Sequence, residues 1–207
     1  MEETQKTIYS QDLGEEWRET FILRDPGEVL ALRLFMHERM PKKVSLVFYL
    51  RGRGARAALS IAAIGRVGDD ISIDVSMIHE APDSVGRVFA RSMLFDASKF
   101  SMRGFLEITP EAHGSDTYFL GKAISMSPAA RAEFFPYLEI KTHDVKASHG
   151  SSVGRPDPKL LFYLESRGIE KAKRERIIMN GFFRDCFYPR EDMKHAYPFI
   201  EHEDAFM

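Results

Sequence analysis

Cysteine is nearly absent from this chain, and its scarcity excludes several classes of protein. The 207 residues include a single cysteine, Cys186. One thiol cannot build an intrachain disulfide framework, and it cannot supply a four-cysteine metal or cluster site. A chain with one thiol also fits a reducing compartment. We therefore expect a cytoplasmic protein whose fold rests on a hydrophobic core.

Long apolar runs and an excess of charge of either sign are also missing. No stretch approaches the roughly 18 apolar residues that a transmembrane helix needs, and the polar, acidic start lacks the apolar core of a signal peptide. The 29 basic and 31 acidic side chains give a formal net charge of −2. This balance offers no electrostatic basis for binding nucleic acid or a membrane surface. The length is that of one domain, or of one domain with a small appendage.

Short strand-like segments recur through the middle of the chain. Every second residue from Ile71 to Met77 is apolar, which places those side chains on one face of a strand. Strand candidates begin about every 15 residues, and the gaps between them are too short for helical crossovers. The pattern predicts either an antiparallel sandwich or barrel, or a parallel β-helix whose turns stack on one another. Periodicity alone does not distinguish these folds.

Helical signals follow Gly154. Asp157 can cap a helix, Pro158 suits the first turn, and Gly168 is a suitable residue just beyond the end. A second helix is expected from about residue 170 to residue 186, before Pro189. The predicted organisation is an N-terminal tail (1–19), a β-helix core (20–153), a C-terminal helical segment (154–188) and a C-terminal tail (189–207).

One region is specific enough to indicate a family. Residues 138–154 read LEIKTHDVKASHGSSVG, residues 161–168 read LFYLESRG, and residues 180–183 read NGFF. In order and spacing, these motifs resemble the core signature of the SufB/SufD family, the scaffold subunits of the SUF iron–sulfur cluster assembly machinery. A weaker resemblance extends upstream to about Gly52. The family resemblance implies a mainly β fold, in which a right-handed parallel β-helix is followed by short C-terminal α-helices. It therefore favours the β-helix over the antiparallel sandwich.

His149 falls on the histidine of the family's Ser-His-Gly motif. The resemblance implies a metal position there, shared across a subunit interface, because a neutral imidazole is a competent iron ligand. A histidine that bonds to backbone at a strand end is the alternative. His143 and Asp144 lie too far away along an extended strand to join the same metal, unless the chain bends sharply near Thr142. Alternation also places Val145, Ala147 and His149 on the same strand face.

The chain departs from the family pattern at positions that could hold a cluster. Ala147 stands where many SufD-like chains have cysteine, and Gly121 falls near the cysteine of SufB-like chains. Ser148 and Gly150 replace glutamates that flank the histidine in SufB-like chains. The chain therefore looks more SufD-like, and it lacks the thiolates that would hold a cluster by itself. We expect a transient iron–sulfur cluster, shared with a partner subunit, rather than one bound stably by this chain.

The resemblance also implies two protein partners. The C-terminal helices would dock a SufC-like ABC ATPase, and the β-helix would pair with a SufB-like subunit or with a second copy of the chain as a homodimer. Apolar helix residues are the candidate anchors for the ATPase. They are Leu161, Ile178, Phe182 and Phe183. Packing of the phenylalanines on the end of the β-helix is the alternative.

Residues 150–154 also match the G-x-S-x-G nucleophile elbow, with Ser152 in the nucleophile position. That elbow needs a strand, a sharp turn and an immediate helix, whereas the next helix is expected only near Pro158. We therefore predict a non-catalytic subunit of a SUF-type assembly complex. The alternatives are a serine hydrolase using Ser152, a β-helix carbohydrate-active enzyme, and a structural adaptor without a metal role.

Overall fold

The computed structural model describes residues 3–187, which form eleven β-strands followed by two α-helices. The strands are β1 Glu3–Tyr9, β2 Glu16–Leu23, β3 Val29–Met36, β4 Lys43–Leu50, β5 Arg56–Gly65, β6 Asp70–His79, β7 Val85–Leu94, β8 Lys99–Ile108, β9 Asp116–Ser125, β10 Arg131–Ile140 and β11 Lys146–Gly154. The helices are α1 Pro158–Ser166 and α2 Lys171–Phe187. The tail predicted for residues 189–207 lies outside the described residues.

Each strand pairs in parallel with the strand two places along the chain. The odd-numbered strands form one sheet in the order β1-β3-β5-β7-β9-β11, and the even-numbered strands form a second in the order β10-β8-β6-β4-β2. We call these the odd sheet and the even sheet. The chain alternates between them, so it coils into a parallel β-solenoid of about five turns. The predicted parallel β-helix with C-terminal helices is confirmed, and the antiparallel sandwich is excluded.

The main core fills the space between the two sheets. In β6, the alternating residues from Ile71 to Met77 are all buried inside, as their period of two predicts. Residues paired in register on parallel strands share a face, so each coil adds one layer to the same interior columns. Leu32, Leu59 and Val88 form three layers of one such column. Burial of these apolar columns is the main force that holds the coils together.

The corners between even and odd strands use left-handed backbone. Gly54, Asp83 and Gly114 have φ angles of 69°, 61° and 73° and occupy neighbouring corners of successive coils. The corners are joined by main-chain hydrogen bonds, in which Gly54 N donates to Pro82 O and Asp83 N donates to His113 O. Glycine and aspartate suit this conformation, which most side chains disfavour. The repeated corner keeps the coils in register.

The tail predicted for residues 1–19 needs correction. β1 pairs with β3, and β2 begins at Glu16 and pairs with β4, so the solenoid starts at Glu3 instead of residue 20. The strand pattern was hidden because two inward positions of this end coil are Lys6 and Glu19. No described strand covers this coil, and the Lys6 and Glu19 side chains are 45% and 30% exposed, so they reach water and need not be apolar.

The two helices pack on the outer face of the odd sheet. Asp157 caps α1 by accepting a 2.8 Å hydrogen bond from Lys159 N, and Gly168 follows the helix with a φ of 72°, as the sequence indicates. A second apolar cluster joins the helices to the sheet. Its buried members are Phe35, Ala62, Phe89, Met93, Leu164, Ile178 and Phe183.

Arg91 of β7 adds a hydrogen bond and a cation–π contact to this helix–sheet interface. Its guanidinium donates a 2.6 Å hydrogen bond to Phe182 O in α2. The same group lies over the Phe182 ring, 5.1 Å from the ring centroid. Because Arg91 is buried, this combination of a charged donor and a cation–π contact fixes the position of α2 on the odd sheet.

Candidate functional site at the C-terminal end of the solenoid

The last coil of the described solenoid is formed by β10 and β11, and each has a strand neighbour on one side only. Lys146 N donates to Ser115 O at 3.0 Å, which fixes the direction of the backbone groups along β11. In a parallel sheet, the N–H and C=O groups of one residue both point to the strand on one side, and those of the next residue both point to the other side. The intervening residues of β11 therefore turn theirs to the open edge. They are Ala147, His149, Ser151 and Val153.

His149 occupies the inner face of this last coil. It is paired in register with Phe119 of β9, which is fully buried in the core, so both side chains belong to one interior column. The predicted shared face is confirmed for Ala147 and His149 by their pairing with Thr117 and Phe119, whereas Val145 precedes β11. His149 is exposed, because no described strand lies beyond β11. The imidazole thus stands where an apolar column meets the open end.

Aromatic rings form the floor of this open end. Phe119 meets Phe134 of β10 edge to face, with ring centroids 6.4 Å apart. Two strand glycines make room for them, because a Cβ atom at Gly104 would overlap the Phe119 ring and one at Gly121 would overlap the Phe134 ring. Glycine usually weakens a strand, and its presence often marks a place where another group approaches the backbone closely. Here the approaching groups are the two phenylalanine rings.

The second pair of suggested ligands lies at the corner between β10 and β11. The chain does bend there, so His143 and Asp144 are not on a continuous strand with His149. Asp144 O accepts a 2.7 Å hydrogen bond from Gly114 N, which ties this corner to the coil before it. Within residues 3–187, no three His, Cys, Asp or Glu side chains gather closely enough to hold a metal ion. The described side chains therefore do not complete a metal site around His149.

The four candidate anchors for the ATPase lie in or beside the helix–sheet cluster. The relative solvent-accessible areas of Ile178 and Phe183 are 7% and 1%, so their side chains contact the odd sheet instead of solvent. Leu161 and Phe182 are partly buried against the same cluster. In this conformation, a partner would not reach Ile178 or Phe183. Both residues instead hold the helices in place.

The exposed apolar residues of the helices are neighbours of those candidates. Phe162 is 72% exposed. The others are Leu160, Tyr163 and Ile177. A signal for this surface was present in the sequence, because residues 160–164 are all apolar or aromatic and one helix face cannot bury five consecutive side chains.

Ser152 does not lie on a nucleophile elbow. It sits within β11, opposite Lys122, and the strand continues to Gly154. Helix α1 begins at Pro158, with no sharp strand–turn–helix junction at the serine. The G-x-S-x-G match is therefore not accompanied by the geometry that activates such a serine.

The chain is a parallel β-solenoid with an open last coil and a helical pair fastened to one sheet. Residues 39–182 match the family described as SUF system FeS cluster assembly, SufBD core domain. This range is well over half of the chain, so the protein belongs to the SufBD core family. No helix within the described range is both long and apolar enough to cross a lipid bilayer.

Individual relatives agree with this assignment. The iron–sulfur cluster assembly protein SufD of Bacillus subtilis is 31% identical over 133 residues, which cover 64% of this chain and 30% of the relative. A SufBD family protein of Mycobacterium tuberculosis is 42% identical over 81 residues, or 39% of this chain and 20% of the relative. Another, from Mycobacterium bovis, is 27% identical over 131 residues, or 62% and 16%. The chain thus spans less than a third of each relative's length.

A buried histidine away from the open end was missed by the sequence reasoning. His79, at the end of β6, is fully buried, and its Nδ1 lies 2.7 Å from Ser84 Oγ. Ser84 Oγ also lies 3.0 Å from Ala81 O and 2.9 Å from Ser115 Oγ, so the imidazole belongs to a buried hydrogen-bond network. Burial, with a smaller contribution from Arg87, lowers the pKa of His79 to about 4. The neutral imidazole is therefore part of the folded core.

His79 should make the fold sensitive to acid. Its pKa is about 4 when folded, against 6.5 for an ordinary histidine. Between these pH values the unfolded chain binds a proton that the folded chain does not, so stability is full above pH 6.5 and falls as the pH drops toward 4. The loss is on the order of 3 kcal/mol. His79→Asn, whose amide can donate or accept a hydrogen bond at Ser84 but does not titrate, should lose less free energy of unfolding over this range.

Urea denaturation at pH 7 and pH 4 measures this difference. All other ionisable groups are common to both proteins, so their contribution cancels when the two losses of stability are compared. Equal losses of stability in the two proteins would show that His79 does not carry the acid sensitivity.

Proposed function

We propose that this chain is a non-catalytic subunit of a SUF-type iron–sulfur cluster assembly complex. In this proposal, the open last coil pairs with a second β-solenoid, and the C-terminal helices dock an ABC-type ATPase resembling SufC. The observation that carries it is the end of the described solenoid, where two strand edges without a described neighbour flank an interior that includes His149 and has no Lys, Arg, Asp or Glu. Family membership and the resemblance supply the pathway, the cargo and the two kinds of partner, while the geometry indicates which surfaces of this chain they would use.

The interior side chains of the last coil support pairing. None of them is charged, and several are partly exposed apolar residues. They are Ala132, Phe134, Pro136, Leu138 and Ile140 on β10, with Ala147, His149, Ser151 and Val153 on β11. In every earlier coil this inner surface is covered by the next layer. A second solenoid end would cover it here and would supply hydrogen-bond partners to the free edges.

The two edges are not equally suited to a hydrogen-bonded ladder. Arg131 N donates to Ser98 O, just before β8, and Lys141 N, just after β10, donates to Ile108 O. The odd-numbered residues of β10 therefore face β8, and the even-numbered residues turn their backbone groups outward. One of these is Pro136, which has no N–H to donate. On β11, all four outward-turned residues have an N–H group. We therefore assign the continuous part of the intersubunit ladder to β11, the strand that carries His149.

His149 would contribute one neutral nitrogen ligand to a cluster held at this seam as cargo. A second copy, related by a twofold axis, would bring its own His149 to the seam, because a twofold interface uses the same surface on both subunits. A SufB-like partner would instead supply ligands of its own. Both arrangements agree with a chain that fits a single ligand of the site.

The exposed helix residues support the ATPase contact. Phe162, Tyr163 and Leu160 on α1, with Ile177 on α2, are apolar or aromatic residues that remain exposed when the helices pack on the odd sheet. Exposed aromatic residues on a fixed element are typical anchors of protein interfaces. The buried residues Ile178 and Phe183, together with Arg91, hold the helices that present this surface. The docking residues of our proposal are therefore the exposed set.

Replacing Ser151 by proline should weaken pairing through β11. The change removes an N–H that points to the open edge and leaves the ladder to β9 intact, as edge strands tolerate. Each lost hydrogen bond leaves an unpaired acceptor at the seam, so we expect the dissociation constant of the pair to rise at least about tenfold. Sedimentation equilibrium measures it. Thr7→Pro, on the open edge at the other end of the odd sheet, is the matched control and should leave pairing unchanged.

Replacing His149 by alanine should reduce cluster maturation without unfolding the chain. The residue is exposed, so thermal stability and pairing should be close to those of the unmodified protein. Maturation of a reporter iron–sulfur protein in a reconstituted SUF system should fall by about tenfold or more, the order of loss when a group supporting a metal is removed. Unchanged maturation would favour the structural adaptor without a metal role.

Replacing Phe162 by aspartate should abolish capture of the cognate ATPase. Loss of an aromatic anchor is expected to weaken binding by roughly 30-fold or more, with little effect on stability because the side chain is exposed. Lys173→Asp, at an exposed polar position of α2, is the control for added negative charge. Phe183→Asp should instead lower the unfolding temperature. Undiminished binding by Phe162→Asp, measured by calorimetry, would contradict the assigned surface.

A further inference from the structure

The N-terminal end of the solenoid is closed by an ion pair that points into the interior. Lys6 of β1 is paired in register with Leu32, and Glu19 of β2 is paired with Leu46. Both leucines belong to the core between the sheets, so Lys6 and Glu19 project inward as well. Lys6 Nζ and Glu19 Oε1 are 2.9 Å apart.

This ion pair bridges the open mouth of the solenoid, because β1 belongs to the odd sheet and β2 to the even sheet. The Lys6 ammonium also lies 5.6 Å from the centroid of the Phe21 ring. Around it, Ile8, Trp17 and Phe21 are partly buried against the core. The two charges therefore stand among apolar side chains at the layer that a further coil would cover.

The contribution of this pair to folding is small. The two side chains are 45% and 30% exposed, and ion pairs in such positions add little stability. Covering them with another solenoid would remove both charges from water, which is unfavourable unless the partner supplies matched polar groups. Inward-pointing charges of this kind are a known protection of open sheet edges. The nine interior positions of the last coil, by contrast, carry no charge.

We infer that the Lys6–Glu19 pair prevents the N-terminal end of the solenoid from pairing with a second copy of this chain. Among residues 3–187, β1 and β2 each have a strand neighbour on one side only, so backbone groups alone would allow such pairing at this end. The inward charges remove that option and leave the C-terminal end as the end that pairs. The assembly sizes expected below rest on the proposed pairing through β11, whereas the closure of the N-terminal end does not.

The test replaces both charges by leucine, as Lys6→Leu/Glu19→Leu, and measures mass by sedimentation equilibrium across a range of concentrations. Pairing at both ends of each solenoid should then produce species larger than a dimer, whose mass rises with concentration. The outward-facing control Thr7→Leu/Arg18→Leu adds the same side chains to the same two strands and should keep the original mass. The charge swap Lys6→Glu/Glu19→Lys should also keep it, because the inward charges remain.

Adding Ser151→Pro separates this inference from the proposed pairing. If both hold, the triple variant stops at a dimer joined through its N-terminal ends. If pairing through β11 fails, the unmodified chain is a monomer and Lys6→Leu/Glu19→Leu alone stops at a dimer. A folded Lys6→Leu/Glu19→Leu protein with the mass of the unmodified chain would overturn the inference, as would equal assembly of the outward-facing control. Should the leucine variant not fold, Lys6→Met/Glu19→Gln provides the same comparison with smaller changes.

Discussion

In-register stacking of parallel strands is the constraint on which the rest of the structure depends. One interior column of the odd sheet makes this clear, and its successive layers are Lys6, Leu32, Leu59, Val88, Phe119 and His149. A slip of one residue in any pairing would turn a whole strand's side chains to the other face. The same register that buries the apolar members therefore places a lysine at one end of the column and a histidine at the other.

The difference between these two ends follows from water and desolvation. A side chain at the end of a column needs no apolar character for folding, because solvent can reach it. Its identity instead decides what can be stacked on it: Lys6, paired with Glu19, opposes a further apolar layer, whereas His149 among uncharged neighbours permits one. On the proposed function, the solenoid therefore has a direction, with its N-terminal end closed to a second solenoid and its C-terminal end able to accept one.

The sequence was sufficient for the repeating middle of the fold and insufficient for its ends and its outer faces. Alternation in β6 and the motif around His149 predicted the parallel β-helix, and Asp157 and Gly168 predicted the limits of α1. The first coil was missed because its inward charges break the alternation on which strand prediction depends. The contact side of the helices could not be foreseen either. It depends on Phe89 and Met93 making the outer face of the odd sheet apolar, which local sequence does not reveal.

The odd sheet also connects the two proposed interfaces. Arg91, which fastens α2, lies on β7, and register pairing continues from it through Lys122 of β9 to Ser152 of β11, the strand of His149. Densely packed sheets move as units because their hydrogen bonds and side-chain contacts resist local deformation. On the proposed function, a displacement of the helices by a bound ATPase would therefore reach β11 through the sheet, and the cluster ligand would move with its strand. A flexible attachment of the helices would lose this coupling. An apolar contact alone would hold the helices on the sheet, but the buried Arg91 also makes the attachment rigid enough to transmit their displacement.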